Sequence, residues 1–344
     1  MEKQKGRGFK MFRRFFKKGK KVSYFIRNYE EGYVPCTSCR EKHALASLTP
    51  LRLEKCSRCG NHNFVPLLID RYWITNPLGG GGMGSVYKGY DREDPSIAVA
   101  VKLLPGDKEQ EEQAVNALHR EVDIAHAVGD HPSLAGGIKQ GKVNDQNYAI
   151  MEFVHGERLD HVIEKKNRLS IDEVLRIGLD LLDADWYLYK HGYLYRDLKP
   201  QNIILTEQEK KAVLFDYGLC VLIEEAHNQE GDVCAGSPHF LPPERLQGRR
   251  EDAYSEIYSL GMVMYYMLTG STFFSADEAQ KLANKHIAPL RIPMKGKLKG
   301  YPSEIVELLS KMTQKEEANR PQSFEEAQEA IQQAKEQLLG DQTS

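Results

Sequence analysis

The chain lacks any apolar run long enough to cross a bilayer. Its longest hydrophobic stretch, Ile257–Leu268, is interrupted by Ser259 and Gly261, whereas a spanning helix needs about 20 apolar residues. The first residues also lack the apolar segment of a secretory signal, so we expect neither a membrane span nor export. With 41% hydrophobic and 28% charged residues among 344, collagen-like, disulfide-scaffold and wholly disordered chains are excluded.

Negative charge is scarce at the start of the chain. Residues 1–28 carry eleven Lys or Arg and a single acid, Glu2, whereas the remainder has a net charge of −12. On a helical wheel, residues 9–21 place their aromatic and basic side chains on opposite halves. Such a basic amphipathic helix is suited to an anionic membrane surface or an acidic partner. A solvated charge run and a nucleic-acid patch are the alternatives, and we expect a cytoplasmic protein at the inner membrane surface.

Cysteine is scarce as well, and four of the six cysteines form two C-x-x-C pairs. Sixteen residues separate the pairs, which consist of Cys36, Cys39, Cys56 and Cys59. Four thiolates at this spacing match a tetrahedral zinc site, and their context favours metal over disulfides. Gly60 allows the second turn a left-handed conformation. Residues 29–69 therefore resemble a zinc ribbon whose Zn²⁺ is structural, since four cysteines leave no open coordination position.

The hydrophobic pattern changes along the rest of the chain. Strands are predicted first, with one helix at Glu109–Val128, and the strands are Tyr72–Ile74, Val86–Tyr90, Ile97–Val101 and Asn147–Met151. Beyond Gly156 the pattern is mainly helical, with segments at Ile171–His191, Tyr254–Leu268, Glu304–Met312 and Ser323–Leu338 and short strands at Ile203–Leu205 and Ala212–Phe215. This order predicts a small sheet lobe followed by a larger helical lobe.

A glycine-rich segment lies between the first two predicted strands. Gly79, Gly81 and Gly84 form the pattern G-x-G-x-x-G, whose missing side chains let backbone N–H groups approach phosphates. A strand follows it instead of a helix, which argues against a dinucleotide site. The next strand ends at Lys102, and Glu121 follows nineteen residues later in the predicted helix. A carboxylate there can fix a phosphate-binding lysine.

Two further motifs carry oxygen and nitrogen groups suited to phosphoryl transfer. Asp197 in the run Tyr195–Asn202 can orient and deprotonate a hydroxyl, and Lys199 can neutralise charge on the transferred group. Asn202 and Asp216, fourteen residues apart, can hold magnesium through their oxygens.

These ordered motifs together resemble a eukaryotic-type serine/threonine protein kinase, of the kind also common in bacteria, over residues 72–340. The resemblance implies an α+β, bilobal protein-kinase fold, with ATP between an antiparallel-sheet N-lobe and a larger helical C-lobe. The implied divisions are a basic tail at 1–28, the zinc-ribbon-like module at 29–69, and a kinase domain at 70–340 with lobes at 72–154 and 155–340.

The resemblance also implies a role for each motif residue. Gly79, Gly81 and Gly84 would cover the phosphates, while Lys102 would contact the α- and β-phosphates and pair with Glu121. Asp197 would be the catalytic base, Lys199 would steady the γ-phosphate, and Asn202 and Asp216 would ligate Mg²⁺ or Mn²⁺. The remaining nucleotide-binding residues would be Leu78, Val86, Ala100, Met151, Glu152, Val154 and Ile204.

Several positions depart from the family pattern. Tyr195 stands in place of histidine, and Tyr217 in place of phenylalanine, so a buried Tyr217 hydroxyl needs a hydrogen-bond partner. Glu256 replaces the aspartate that braces the catalytic loop. Glu244 and Arg320 are expected to form the ion pair that ties the activation segment to the C-terminal helices.

The activation segment, Leu219–Leu241, contains no threonine, and Ser237 has its only hydroxyl side chain. Kinases with an arginine before the catalytic aspartate often need a phosphate on this segment. We hypothesise that a fixed acid pairs with Arg196 instead and gives activity without phosphorylation. The candidate acids are Glu224, Glu225, Glu230 and Asp232.

The sequence thus predicts an active, ATP- and magnesium-dependent kinase acting on serine and threonine hydroxyls of protein substrates. The zinc ribbon and basic tail would localise it or recruit partners. A pseudokinase scaffold that binds nucleotide is the alternative, although Lys102, Asp197, Asn202 and Asp216 are all present. A nucleic-acid-binding protein regulated by its kinase lobe is a third reading.

Overall fold

A computed structural model describes residues 19–81, 84–104, 111–228, 236–288 and 293–341. The chain divides into two compact units. The first comprises Met1–Asp123 and Gly137–Phe153, and the second comprises Ile124–Gly136 and Val154–Ser344. Within the described ranges, no helix combines the length and the apolar character needed to cross a membrane.

The first unit consists mainly of antiparallel strands. Its elements are α1 Gly19–Glu30, β1 Tyr33–Pro35, β2 Lys42–Ala44, β3 Leu53–Lys55, β4 His62–Phe64, β5 Leu67–Ile69, β6 Tyr72–Gly81, β7 Gly84–Asp91, β8 Ala98–Leu103, α2 Glu111–Val128, β9 Gly137–Val143 and β10 Gln146–Glu152. Helix α2 begins in this unit and ends in the second one.

A six-stranded antiparallel sheet with the order β5-β6-β7-β8-β10-β9 forms the body of this unit. Side chains alternate between the two faces along each strand, and one face forms a continuous apolar core. That core includes Ile74, Val99, Val101, Tyr148 and Ile150. The β-branched and aromatic residues predicted as strands therefore pack where their alternation places them.

The four cysteines lie at the turns of two short hairpins. Strands β1 and β2 pair on either side of the first C-x-x-C, and β3 and β4 on either side of the second. In both turns the residue after the second cysteine is left-handed, with φ of +65° at Arg40 and +74° at Gly60. The conformation expected for Gly60 is therefore confirmed, and Arg40 adopts it despite its Cβ.

The ribbon and α1 pack against the six-stranded sheet. Ile26 and Tyr29 of α1 form one apolar cluster with Trp73 of β6, and Trp73 Nε1 donates to Glu30 Oε1 at 2.5 Å. Phe64 of β4 lies 6.1 Å, between ring centroids, from Tyr87 of β7. Two apolar clusters therefore join α1 and the ribbon to the sheet, one around Trp73 and one that includes Phe64 and Tyr87.

The second unit is mainly helical. Its elements are β11 Gly156–Arg158, α3 Leu159–Lys166, α4 Ile171–Lys190, β12 Tyr193–Leu194, β13 Ile203–Thr206, β14 Ala212–Leu214, β15 Val221–Leu222, α5 Ile223–Asn228, α6 Pro243–Leu246, α7 Ala253–Thr269, α8 Ala279–Ile287, α9 Met294–Lys297, α10 Ser303–Met312 and α11 Phe324–Asp341.

Helix α7 is buried along nearly its whole length and packs against α4, α10 and α11. Its ends follow sequence signals, because Asp252 and Ser255 form a capping box and Gly270 ends the helix with φ of +69°. A Cβ on Gly270 would lie 1.9 Å from the Asn167 carbonyl oxygen, so glycine is required there. The predicted fold class, a sheet lobe and a helical lobe preceded by a four-cysteine cluster, is confirmed.

Candidate active site

Lys102 lies near the end of β8, on one face of the sheet with three other predicted nucleotide-binding residues. It is opposite Val86 of β7, and Ala100, two residues before it, is opposite Met151 of β10. Directly opposed residues of antiparallel strands, and residues two apart, share a face. The register therefore brings Val86, Ala100, Lys102 and Met151 to the face opposite the apolar core.

Glu121 of α2 contacts Lys102 on this face. Lys102 Nζ lies 2.6 Å from Glu121 Oε2, and the two side chains are only 13% and 6% exposed. A charged pair this close and this buried is held in a defined geometry, because water competes little for either group. The pair can present a fixed ammonium to a polyphosphate.

The predicted glycine loop is the end of the β6–β7 hairpin. Gly79 pairs with Val86, and Gly81 pairs with Gly84, while residues 82 and 83 lie outside the described ranges. Gly84 has φ of +121°, and a Cβ there would lie 2.5 Å from the Leu103 carbonyl oxygen. Apart from its two chain neighbours, no described residue has an atom within 4 Å of a Cβ built on Gly79, so the missing side chain leaves the backbone open to those residues.

Asp197 is the centre of the polar cluster in the helical unit. Its Oδ2 accepts hydrogen bonds from Lys199 Nζ and Asn202 Nδ2, each at 2.7 Å. Burial raises the pKa of Asp197, whereas Lys199 and Asn202 lower it by stabilising the charged form. A carboxylate held by two donors in a buried site is suited to accept a proton from a hydroxyl.

Asn202 and Asp216 lie on the two sides of a β-hairpin close to Asp197. The Phe215 N–H donates to the Asn202 carbonyl at 3.2 Å. Asp216 has φ of +66°, a conformation that non-glycine residues adopt rarely. Because the Asn202 amide nitrogen donates to Asp197, its Oδ1 is the atom available to a cation, and the two oxygen donors fit the preference of Mg²⁺.

Both tyrosines that depart from the family pattern have partners for their hydroxyls. The Tyr217 hydroxyl donates to the Ala135 carbonyl at 2.8 Å, and the Tyr195 hydroxyl donates to the Phe215 carbonyl at 2.6 Å. Both side chains are about 1% exposed. The partner that burial of Tyr217 requires is thus Ala135, and both bonds attach the Asp216 segment to its surroundings.

Glu256 braces the catalytic loop from α7. Its Oε1 accepts the Arg196 N–H at 2.8 Å, so the extra methylene of Glu256 does not break this contact. The pKa of Glu256 is raised to about 7, chiefly by burial and also by the carboxylate of Glu251, against the opposite effect of Arg196 and Arg245.

Asp185 of α4 is a second buried carboxyl near Glu256. It is 2% exposed, and among the described residues neither of its oxygens has a hydrogen-bond partner. Burial raises its pKa well above the ordinary value, and the charge of Glu256 raises it further.

The ion pair expected between Glu244 and Arg320 is present and fully buried. Arg320 Nη1 and Nη2 lie 2.7 and 2.9 Å from the two carboxylate oxygens of Glu244, and neither side chain is exposed. Such bidentate geometry fixes α6 to the segment that precedes α11.

The four cysteine sulfurs form a compact cluster. All lie within 4.8 Å of one another, and the Cys36–Cys59 and Cys39–Cys56 sulfur distances are 3.6 and 3.7 Å. Tetrahedral zinc with bonds of about 2.3 Å requires sulfurs about 3.8 Å apart, whereas a disulfide needs about 2.05 Å. The donor set and spacing therefore fit a zinc ribbon. His43 Nε2 lies 3.3 Å from Cys56 Sγ.

The remaining predicted residues have varied settings. Leu78 is 46% exposed, and Glu152, Val154 and Ile204 are half-buried. Most of the basic segment at residues 9–21, and the acids Glu230 and Asp232, lie outside the described residues. Sequence reasoning missed Glu251 and Asp185, because no local pattern marks a carboxyl that becomes buried only after folding.

The sheet unit thus carries a buried lysine–carboxylate pair, and the helical unit carries a buried aspartate with lysine and asparagine donors. Both are groups that the sequence motifs predicted. The family described as "Protein kinase domain" matches residues 72–334. The chain belongs to the protein kinase family.

Several bacterial proteins are similar to this chain. The chain is 32% identical over 260 residues to a probable serine/threonine-protein kinase of Clostridium perfringens, which covers 76% of this chain and 38% of that protein. It is 34% identical to the probable serine/threonine-protein kinase PknB of Lactococcus lactis over 64% of this chain and 35% of that protein. It is 29% identical to the serine/threonine-protein kinase PrkC of Bacillus subtilis over 77% of this chain and 40% of that protein. The chain thus matches about two fifths of the length of these relatives.

Proposed function

We propose that this chain transfers the γ-phosphoryl group of ATP to serine or threonine hydroxyls of protein substrates. The observation that carries the proposal is the buried Asp197 carboxylate, whose Oδ2 accepts 2.7 Å hydrogen bonds from both Lys199 and Asn202. The three relatives described above are named as serine/threonine-protein kinases or probable ones, which supports the choice of hydroxyl.

Asp197 acts as the base of the reaction. Lys199 and Asn202 stabilise its charged form, in which it takes the proton of the substrate hydroxyl as that oxygen bonds to the γ-phosphorus. The bond between the γ-phosphorus and the bridging oxygen breaks, and ADP leaves. Lys199, already beside Asp197, offsets the negative charge that develops on the transferred group. Alignment and charge stabilisation, more than covalent chemistry, account for the rate of such a transfer.

The sheet unit and the helical unit each carry groups suited to the nucleotide or its metal ion. Lys102, oriented by Glu121, binds the α- and β-phosphates, and the backbone at Gly79 approaches the phosphates from the β6–β7 hairpin. Asn202 and Asp216 would hold Mg²⁺ or Mn²⁺, which when bound neutralises charge on the phosphates.

Transfer of label from radioactive ATP to a generic protein substrate tests this function. The full chain should label the substrate, whereas Asp197→Asn, which keeps the shape but cannot accept the proton, should lose at least about a hundredfold in rate. Lys102→Met should lose activity with weaker nucleotide binding. Lys139→Met is the matched control, because Lys139 lies in the same sheet in an exposed ion pair with Asp70 at 2.6 Å.

Two results would contradict the proposal. Equal labelling by the wild type and Asp197→Asn would remove Asp197 from the reaction. Nucleotide binding by the wild type without any transfer would instead support the alternative, a pseudokinase scaffold.

We also propose that Cys36, Cys39, Cys56 and Cys59 hold one structural Zn²⁺, on the sulfur distances given above. Recruitment of partners by the ribbon and tail stays a prediction, as does binding of residues 9–21 to an anionic surface inside the cell. Salt-sensitive sedimentation of the full chain with phosphatidylserine vesicles tests the membrane prediction, with neutral vesicles as the control. Failure of the chain to sediment with either kind of vesicle would contradict the membrane prediction.

A further inference from the structure

Glu251 is a buried acid placed directly against Arg196. Its Oε1 lies 2.6 Å from Arg196 Nη2, and the two side chains are 4% and 11% exposed. Arg245 Nε lies 4.0 Å from the same oxygen. The Glu251 carboxylate therefore offsets positive charge from two arginines in a place where water screens little.

Arg196 itself has a backbone conformation that its surroundings must maintain. Its φ is +67°, a left-handed conformation that is strained for a non-glycine residue. The N–H donates to Glu256 at 2.8 Å, and the carbonyl accepts a hydrogen bond from Arg245 Nη1. The next residue is Asp197, so any relaxation of Arg196 displaces the reacting carboxylate.

Glu251 completes this arrangement by fixing the third part of Arg196, its side chain. It also holds Arg245, the residue that bonds to the Arg196 carbonyl. Removing one member of a buried pair leaves an uncompensated charge and is strongly destabilising. Loss of Glu251 would therefore destabilise Arg196, which directly precedes Asp197.

The counter-charge to Arg196 needs no chemical modification. Glu251 precedes α7 and lies outside Leu219–Leu241, a segment whose only hydroxyl side chain is Ser237. A carboxylate in the chain is present in every molecule, whereas a phosphate must be added by a kinase. The position thus points to a catalytic loop that is set by folding alone.

We propose that Glu251 is a positioning residue for Asp197, acting through Arg196 and Arg245, and that it sets the catalytic loop without phosphorylation of the activation segment. This inference rests on the proposed function. It adds to the acids of the activation segment a residue whose contact with Arg196 is observed, and the hypothesis for Glu224, Glu225, Glu230 and Asp232 stays a prediction.

The first test uses the full-length wild type after phosphatase treatment, with intact mass showing that no phosphate remains. Its kcat should stay within about twofold of the untreated protein. The second test compares Glu251→Gln with the wild type. The variant should lower kcat about tenfold or more while the KM for ATP changes less than about twofold. A small displacement of a reacting group costs rate steeply, whereas the nucleotide contacts of Lys102 are untouched.

A double-mutant cycle separates positioning from general destabilisation. If Glu251 acts through Arg196, Arg196→Met with Glu251→Gln should be no slower than the slower single variant, because removal of the first partner already loses the interaction. Glu317→Gln is the matched control, since Glu317 pairs with Arg249 at a more exposed position. Glu251→Asp keeps the charge and should retain more of kcat than Glu251→Gln.

The outcomes distinguish this inference from the proposed function. A wild type that transfers no phosphoryl group at all overturns the function itself. A wild type that is active only while phosphorylated, multiplicative losses in the double variant, or a lower melting temperature of Glu251→Gln with unchanged kcat would each overturn the role of Glu251 and leave the kinase function standing. If Glu251→Gln does not fold, the phosphatase experiment and Glu251→Asp still decide the question.

Discussion

The buried carboxyls of Asp185 and Glu256 predict a specific dependence of stability on pH. Both are enclosed by α4, α7 and the catalytic loop, and the charged groups that act on Glu256 are Glu251, Arg245 and Arg196. Burial raises the pKa of Glu256 from 4.5 to about 7, and that of Asp185 also lies well above its ordinary value. In the folded protein these groups therefore keep protons that the unfolded chain has lost.

The sign and size follow from proton linkage. A carboxyl with a raised pKa supports stability at low pH, and that support is lost as pH rises from its ordinary pKa through the folded one. For Glu256 this window runs from about pH 4.5 to 7. Each retained proton makes the free energy of unfolding fall by about 1.4 kcal/mol per pH unit.

Asp185→Asn removes one of these carboxyls without changing its shape and supplies an amide in place of a charge. We expect the variant to gain about 1–3 kcal/mol over the wild type at pH 8, which is the scale for a buried group that must otherwise ionise or stay protonated. In a unit of this size that corresponds to about 2–12 °C in melting temperature. At pH 5 the two proteins should differ by about 0.5 kcal/mol or less.

Thermal unfolding from pH 5 to 8.5, followed by near-UV circular dichroism, provides the measurement. Asp172→Asn is the control, because Asp172 is an exposed aspartate in the first turn of the same helix. Parallel pH profiles of the wild type and Asp185→Asn would show that this carboxyl does not retain its proton, and would refute the reasoning.

Two further predictions concern stability. Tyr217→Phe deletes the hydroxyl that donates to Ala135 at 2.8 Å and should cost about 1–2 kcal/mol, seen as a lower melting temperature. Tyr254→Phe should cost about 0.5 kcal/mol or less, because the Tyr254 hydrogen bond is 3.2 Å long and exposed. Metal analysis should find about one zinc per chain, and Cys56→Ser should lose the metal and unfold at a lower temperature, whereas Cys220→Ser should keep it.

Each of these has a contradicting outcome. Equal melting temperatures for wild-type and Tyr217→Phe protein would mean that water replaces the lost donor. Metal-free protein with an unchanged melting temperature, or full zinc content in Cys56→Ser, would contradict a structural role of zinc at these cysteines.

Local patterns were sufficient for the elements and for most of the motif geometry. The predicted helix Ile171–His191 is observed as Ile171–Lys190, since Ser170 and Glu173 cap its start and apolar residues repeat at helical spacing. Lys102 and Glu121 meet because strand register and helix position follow from short segments. The two C-x-x-C pairs predicted the four-cysteine cluster directly, because each hairpin turn places its two sulfurs close together.

Interactions that depend on distant segments could not be read from the sequence. Arg196 and Glu251 are 55 positions apart, and no spacing rule links them. Asp185 lies at a position of α4 that helical periodicity predicts to be buried. The sequence does not show that its neighbour there is Glu256 of α7. The packing of Phe64 on Tyr87 likewise depends on how the ribbon folds back onto the sheet.

That last contact has a practical consequence for anyone who shortens the chain. The family match starts at residue 72, yet Trp73 and Tyr87 rest against Tyr29 and Phe64 from the preceding segments. Expression from residue 72 would uncover Trp73 in one apolar cluster and Tyr87 in the other, leaving aromatic surface open to self-association. We therefore expect the region that matches the kinase family to fold stably only together with the segments that precede it. A usable fragment should begin before α1.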